Sequence, residues 1–223
     1  MSSRRRHAVV TGASSGIGAA VAGRLLDDGW RVTGVCRSEP DARVEWVRAD
    51  LAGDFGGSLG SLSGVDAVVH AAGLQRSAPV SELSIEDGGR MWAVHVRAAE
   101  VLVGELVGRL VDGGRIVLVG SRTMVGVPGK SQYAATKAAL SALARSWAAE
   151  LAPRGITVNV VAPGPTDTPM LRDPGRRRTP PVVPPLGRLV SPAEVAALTA
   201  FLLGGDGASI TGQTMVICGG ASL

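Results

Sequence analysis

Short apolar runs alternate along this chain with longer stretches in which apolar residues recur every three or four positions. The apolar runs predict β-strands, because they are four to six residues long and rich in β-branched side chains. They lie at residues 7–11, 31–36, 44–48, 67–70, 115–119, 157–161 and 214–217. Nearly continuous apolar strands are typical of a parallel sheet that is covered on both faces.

The amphipathic stretches predict helices at residues 16–28, 84–110, 131–151 and 192–203. Ser84 with Asp87, and Ser191 with Glu194, have the spacing of residues that cap a helix start. Glycines end three of these helices, at position 29 and in the pairs 113–114 and 204–205. Strands that alternate with helices predict an α/β fold, namely one doubly wound parallel sheet of about seven strands.

Two connections in this pattern are short. Only a dozen residues separate Cys36 from the strand at 44–48, and residues 51–64 are rich in glycine and serine. A full crossover helix needs more room than the first connection offers and better helix formers than the second contains. We therefore expect shortened helices after strands two and three, within a single domain that covers residues 1–223.

Composition narrows the class of protein. Of the 223 residues, 45% are hydrophobic but only 3% are aromatic, so the core must consist of Val, Leu, Ala and Ile. No apolar run approaches the roughly 20 residues of a membrane span, which predicts a soluble, intracellular protein of the cytoplasm. Cys36 and Cys218 lie far apart and each ends a predicted strand, so both are expected to be reduced.

The net charge is +4 and the pI is about 9.8. The basic residues cluster in Arg4–Arg6 and Arg176–Arg178, without interleaved aromatic residues. A solvated tail and a surface loop explain this charge, and a phosphorylated cofactor could use part of it, so no nucleic-acid partner is predicted. The three histidines have no ligand spacing with the cysteines, and we predict no metal site.

A glycine-rich segment joins the first strand to the first helix. Gly12, Gly16 and Gly18 follow the spacing Gly-x-x-x-Gly-x-Gly. Glycines allow the backbone to turn sharply and to approach a pyrophosphate, and the helix N-terminus offers partial positive charge. The segment predicts a dinucleotide site, although a glycine-rich turn without a ligand is the alternative.

Tyr133 and Lys137 are four residues apart on a predicted helix, so their side chains share one face. An ammonium group beside a phenol favours the phenolate and lowers a pKa that starts near 10. Such a tyrosine can serve as a general acid or base. A packing tyrosine with a solvated lysine is the alternative for the pair alone.

Together these motifs resemble the short-chain dehydrogenase/reductase family over nearly the whole chain. The matching segments are 11–18, Ser121, Tyr133 with Lys137, 163–168, and the tail from Ile210 to Gly220. Asp50–Leu51 resembles the family's contact with adenine, and 70–73 stands where the family usually has Asn-Asn-Ala-Gly. The resemblance implies a Rossmann fold and hydride transfer between a nicotinamide and a carbonyl or alcohol carbon.

The resemblance also implies roles for single residues. Tyr133 would exchange the proton with the carbonyl oxygen, Ser121 would hydrogen-bond that oxygen, and Lys137 would hold the nicotinamide ribose. Ser121 precedes Tyr133 by 12 positions, one fewer than is usual, and Thr123 is the alternative. His95 stands where the family has a catalytic asparagine, and it is expected either to relay protons or to be a buried structural side chain.

Cofactor preference depends on the end of the second strand, where an acidic residue would repel a 2′-phosphate. Here Cys36 is followed by Arg37, whose guanidinium can pair with a phosphate, so NADP(H) is preferred to NAD(H). The residues that the resemblance assigns to the cofactor are Gly12, Ser14, Ser15, Gly16, Ile17, Gly18, Arg37, Asp50, Leu51, Ala72, Gly73, Tyr133, Lys137, Pro163, Gly164, Thr166 and Thr168.

The substrate is a small-molecule carbonyl or alcohol that the sequence does not name. Loop arginines at the carboxyl ends of strands, namely Arg76, Arg122, Arg172 and Arg176–Arg178, suggest an anionic or carrier-bound compound. The lid is predicted at about 168–191, with pocket walls at Met124, Val125, Met170 and Leu171. Relatives imply a homo-oligomer, a tetramer or a dimer. A nucleotide-binding regulator that has lost turnover and a lyase or epimerase on the same fold are the alternatives.

Overall fold

The seven predicted strands form one parallel sheet in the computed structural model, which describes residues 4–174 and 179–223. The strands are β1 (His7–Thr11), β2 (Arg31–Cys36), β3 (Glu45–Arg48), β4 (Val65–His70), β5 (Leu110–Val119), β6 (Thr157–Pro163) and β7 (Thr214–Ile217). Their order is β3-β2-β1-β4-β5-β6-β7. The predicted doubly wound fold is confirmed.

The strand order reverses between β1 and β4. The chain moves outward from β1 to β3 and then returns to the other side of β1 for β4 to β7. Thr11 pairs with both Val35 and His70, so the segments that follow β1, β2 and β4 leave the sheet at one edge. This topological switch point is where open α/β sheets bind their ligands.

The helices cover both faces of the sheet. They are α1 (Gly16–Asp27), α2 (Ile85–Trp92), α3 (Ala98–Leu106), α4 (Ser131–Leu151) and α5 (Pro192–Leu203). One core cluster includes Leu102, Leu106 and Leu140, and the other includes Leu25 and Leu202, all with 1% exposure or less. Each buried leucine contributes roughly 1.5–3 kcal/mol of hydrophobic free energy.

The predicted helix over 84–110 differs from the observed structure in two ways. It begins as predicted, with the Ser84 hydroxyl accepting a hydrogen bond from the Asp87 N–H, but a π-helical turn, Ala93–Arg97, separates α2 from α3. The glycine pair at 113–114 does not stop the helix, which ends at Leu106. These glycines lie in a bulge of β5. Val65 pairs with Leu110 and Ala67 pairs with Arg115, so β5 has extra residues between two pairs that are two positions apart on β4.

The connections after β2 and β3 are short, as predicted. The chain between β2 and β3 has no helix, and only the 3₁₀ turn Gly56–Leu59 follows β3. Cys36 and Cys218 are free thiols near opposite edges of the sheet. Among the described residues, no helix combines the length and apolar character that crossing a membrane requires.

Candidate active site

A groove of about 700 Å³ opens at the switch point. It is lined by the segments that follow β1, β2, β3 and β4, together with residues 168–174 on the opposite rim. The residues with a predicted cofactor contact that line it are Gly12, Ser14, Ser15, Gly16, Ile17, Arg37, Asp50, Leu51, Ala72, Gly73 and Thr168.

The glycine-rich turn forms the floor of this groove. Gly12 and Gly16 have φ values of 69° and 54°, in the left-handed region that favours glycine. A Cβ on Gly12 would lie 3.0 Å from the Ala72 Cα, so the turn is packed against the segment after β4. Ser15 makes no capping bond with its side chain, whereas Ser191 and Glu194 form a complete capping box on α5. The N-terminus of α1 therefore keeps its positive end open to an anion.

Gly18 does not contact the groove, contrary to the predicted cofactor role. It is buried in the first turn of α1 and lines neither cavity. A Cβ at this position would overlap the Gly12 carbonyl oxygen. Gly18 therefore allows α1 to pack against the turn that forms the floor of the groove.

The end of β2 forms the outer edge of the groove. Arg37 is exposed and lines the groove beside Cys36 and Ser38. The Cys36 carbonyl accepts a hydrogen bond from the Trp46 indole N–H at 3.0 Å, which fixes this edge to β3. Burial raises the pKa of the Cys36 thiol, so the thiol stays neutral and brings no negative charge to the edge.

A smaller cavity of about 100 Å³ lies beside the groove. Ile17, Ala71, Gly73, Thr168 and Met170 line both, so the two spaces are continuous. The side chains predicted to perform chemistry meet here, since Ser121, Tyr133 and Lys137 all line the smaller cavity. Pro163, Gly164 and Thr166 line it as well, on the loop after β6.

Lys137 is a buried amine in this cavity, with 4% exposure. Its Nζ donates a hydrogen bond to the Val119 carbonyl at 2.7 Å and lies 6.0 Å from the centre of the Tyr133 ring. Burial disfavours the charged form and lowers the pKa of Lys137 to about 7. The amine sits one helical turn from the tyrosine, as predicted.

Ser121 and Thr123 form a hydroxyl pair at the end of β5. Their oxygens are 2.9 Å apart, and Ser121 Oγ accepts a hydrogen bond from the Thr123 N–H. Both residues are buried and both line the cavity. The geometry thus keeps both hydroxyls as candidates for binding a substrate oxygen.

His95 lies in the π-helical turn behind Tyr133, fully buried. Its Nε2 accepts a hydrogen bond from the Leu74 N–H at 3.1 Å, so Nδ1 carries the proton and donates to Thr136 Oγ1 at 2.8 Å. Burial and the charge of Lys137 lower the pKa of His95 well below its usual range. Both nitrogens of a neutral ring are engaged, which favours the structural alternative for His95 over the relay. A relay would require one of these bonds to open.

His70 is fully buried, and hydrogen bonds hold both of its ring nitrogens. Thr11 Oγ1 accepts hydrogen bonds from the N–H groups of Ala71 and Ala72, so its own proton goes to His70 Nδ1 at 2.9 Å. His70 Nε2 in turn donates to the Val94 carbonyl at 3.1 Å. This chain of bonds ties the segment after β4 to the π-helical turn.

Arginine–carboxylate pairs fix the rim of the groove. Arg76 donates to both carboxylate oxygens of Asp173, at 3.2 and 3.3 Å, and Arg172 pairs with Asp167 at 2.7 Å. Met170 and Leu171 line the smaller cavity, as predicted, whereas Met124 and Val125 do not. The arginines at 176–178 lie outside the described residues.

Several lining residues have no signal in the sequence. Leu74, which lines the groove, and the buried Thr136 hold His95, and no local spacing links them. Arg90 lines the groove, and Gln75 and Lys130 line the smaller cavity. The position of Lys130 just before the helix of Tyr133 could have identified it.

Two family models together match almost the whole chain. The model described as short chain dehydrogenase matches residues 6–54, and the model described as Enoyl-(Acyl carrier protein) reductase matches residues 55–222.

Curated relatives match over nearly their full length. The 3-oxoacyl-(acyl-carrier-protein) reductase FabG of Vibrio cholerae serotype O1 is 35% identical over 240 residues, which cover 96% of this chain and 96% of that protein. The 3beta-hydroxysteroid dehydrogenase 1 of Eggerthella lenta is 32% identical and covers 96% and 93%.

Solved structures share the architecture. A short chain dehydrogenase from Burkholderia cenocepacia J2315 in complex with NADP is 35% identical, with a TM-score of 0.84 and 98% of each chain covered. A blue fluorescent protein from a metagenomic library in complex with NADPH is 30% identical, with a TM-score of 0.85 and the same coverage.

Proposed function

The chain belongs to the short-chain dehydrogenase/reductase family of oxidoreductases, and from that premise we propose that it is an NADPH-dependent ketoreductase, or an alcohol dehydrogenase in the reverse direction. The observation that carries the proposal is the meeting of Ser121, Tyr133 and Lys137 in a cavity continuous with the groove at the switch point.

The residues of the groove fit a nicotinamide dinucleotide. The uncapped start of α1 and the glycines with positive φ suit a pyrophosphate. Asp50 and Leu51 line the groove where adenine would lie, and Arg37 at its outer edge suits a 2′-phosphate. Two solved relatives contain NADP or NADPH, which supports the same preference.

When bound, NADPH supplies a hydride to the carbonyl carbon, so that ketone, NADPH and one proton give alcohol and NADP⁺. Tyr133 donates the proton to the carbonyl oxygen in this direction and accepts it from the alcohol in the other. Ser121 orients the oxygen by a hydrogen bond, and Thr123 supports the Ser121 hydroxyl.

Lys137 has two tasks in this proposal. Its ammonium favours the phenolate that Tyr133 becomes after it gives up a proton. The Val119 carbonyl holds Nζ in place from behind, which leaves the remaining N–H bonds for the cofactor ribose.

The decisive experiment follows NADPH oxidation with a panel of ketones for the parent, Tyr133→Phe and Ser121→Ala. We expect Tyr133→Phe to lower kcat/KM by about 10²–10⁴-fold, because it removes the proton donor and little volume. Tyr133→Phe with the activity of the parent would refute the acid–base role.

The same panel separates the alternatives. A regulator or scaffold would bind NADPH but oxidise none of it with any ketone. A lyase or epimerase would convert its substrate without net change in NADPH. We also propose a homo-oligomer, a tetramer or a dimer, which light scattering would measure.

A further inference from the structure

Basic side chains border the smaller cavity. Arg122, Lys130 and Lys137 line it, and none of its lining residues in the described part of the chain is an aspartate or a glutamate. Positive side chains without a carboxylate among them favour an anionic occupant.

Arg122 is the cation in this cavity that most needs a partner. Its Nε–H is buried and has no hydrogen-bond acceptor among the described residues. Buried polar groups are nearly always bonded in native proteins, so this unpartnered nitrogen makes the guanidinium of Arg122, a residue that lines the cavity, a candidate to bind an acceptor from outside the chain.

Two arginines on the rim of the groove have partners within the chain. Arg76 is bonded to Asp173, and Arg172 is bonded to Asp167. Their charges are balanced by the chain itself, and neither lines the smaller cavity. Arg122 combines position in the cavity with an unsatisfied donor.

Arg122 also shares the cavity with Ser121. It directly follows Ser121 and begins the 3₁₀ turn Arg122–Val125, and both residues line the smaller cavity. A substrate that places its carbonyl at Ser121 could therefore place an anionic group at Arg122. The smaller cavity, at about 100 Å³, is much smaller than the groove and suits a short substrate.

We propose that the substrate is a short 2- or 3-oxo acid and that Arg122 binds its carboxylate while Ser121 and Tyr133 bind its carbonyl oxygen. This inference rests on the proposed ketoreductase function and adds the substrate class to it. A guanidinium binds a carboxylate through two parallel hydrogen bonds, which also orients the carbonyl towards the nicotinamide.

The test compares acids with their methyl esters, which differ in charge and little in shape. Acetoacetate is paired with methyl acetoacetate, and 2-oxobutanoate with methyl 2-oxobutanoate. Initial rates of NADPH oxidation are measured for the parent, Arg122→Met, Arg122→Lys and Arg24→Met. Arg24 is exposed on α1 and paired with Asp28, away from the cavity, so its variant controls for the loss of one positive charge.

We expect the parent to prefer one of the acids over its ester by at least tenfold in kcat/KM. Arg122→Met should lower kcat/KM for that acid by roughly 10- to 100-fold, mainly through KM, and lower that for the ester by a much smaller factor. Arg122→Lys should recover part of the loss, and Arg24→Met should match the parent.

The inference is wrong if acid and ester react equally well in the parent, or if Arg122→Met changes both by the same factor. In either case the reduction of the neutral ester leaves the ketoreductase function standing. If the protein reduces neither compound, calorimetry in the presence of NADP⁺ measures how tightly it binds the acid and the ester. Tighter binding of the acid that depends on Arg122 supports the anion site even when the proposed function fails, and equal binding refutes it.

Discussion

Arg37 directly follows β2, and its side chain has neither an ion pair nor a hydrogen bond among the described residues. We predict that Arg37→Ala raises the KM for NADPH by roughly 10- to 100-fold, because a charge-assisted pair with the 2′-phosphate is lost. The KM for NADH should stay within about twofold. Arg48→Ala is the matched control, since Arg48 is exposed at the end of β3 and does not line the groove. Equal effects on the two cofactors would contradict the assignment.

His95 is held by two hydrogen bonds to residues that are distant in sequence, and substitutions of His95 test its role. We predict that His95→Ala lowers stability by about 1–3 kcal/mol, because the Leu74 N–H and the Thr136 hydroxyl lose a buried partner. His95→Asn should retain more activity than His95→Ala and leave the pH dependence of kcat/KM unchanged between pH 5 and 8. A changed profile in His95→Asn would instead indicate a proton relay.

Single residues were predictable where their role depends on local spacing. Gly12 and Gly16 belong to one turn, and Tyr133 and Lys137 share one helical face. The partners of His95 were not, because Leu74 and Thr136 lie 21 and 41 positions away. Gly18 fits the motif but does not line the groove, because spacing alone does not distinguish contact with a ligand from close packing of the backbone.

At the scale of elements, α2 contains two adjacent glycines in different surroundings. A Cβ on Gly88 would lie 3.0 Å from Gln132 Cδ and displace the amide that donates to the Ser84 carbonyl, whereas Gly89 faces open space. We predict that Gly89→Ala stabilises the protein by about 0.5–1 kcal/mol through helix propensity. Gly88→Ala should be about 1 kcal/mol less stable than Gly89→Ala, because it also loses the hydrogen bond.

Thermal unfolding of the two variants measures this difference. Gln132 precedes Tyr133, so Gly88→Ala should also lower kcat, while Gly89→Ala should leave kcat unchanged. Equal stability and activity in the two variants would mean that the contact between α2 and α4 has no influence on the tyrosine.

Most elements were predicted to within two or three residues, because caps and apolar periodicity are local signals. The π-helical turn and the bulge in β5 were missed. The first is held by His70 and His95 through bonds to other elements, and the second depends on the register against β4. Such contacts between distant residues produce no periodic pattern of apolar residues in the sequence.

At the scale of the whole molecule, alternation of strands and helices is enough to predict a parallel doubly wound sheet. The cavity that holds the side chains proposed for catalysis also depends on where the loops after β4, β5 and β6 meet. That meeting is a property of the assembled sheet, so the sequence indicated candidate residues for the reaction but not the walls of the cavity.

Three buried basic groups beside this cavity all make the folded protein more stable as the pH rises. In the ligand-free fold, burial lowers the pKa of His70 to about 3, that of His95 well below 6.5, and that of Lys137 to about 7. The unfolded chain binds protons more strongly at each site, so stability rises with pH wherever only the unfolded form is protonated.

The windows differ between the groups. The contribution of His70 is complete above pH 6.5 and is lost as the pH falls towards 3. The contribution of Lys137 increases from about pH 7 to 10.5. Each group adds roughly 1 kcal/mol for each pH unit within its window. We therefore predict that the ligand-free protein melts at a higher temperature at pH 9 than at pH 6.

Lys137→Met provides the control, because methionine fills similar space without a charge. The variant should lose activity. Its Tm should exceed that of the parent most at pH 6, and its Tm should depend less on pH above pH 7, because the variant lacks the lysine that contributes in that range. Scanning calorimetry of parent and variant from pH 6 to 10 measures both curves. Parallel curves would show that Lys137 keeps an ordinary pKa in the folded protein, and the amine would then be as solvated as a surface lysine.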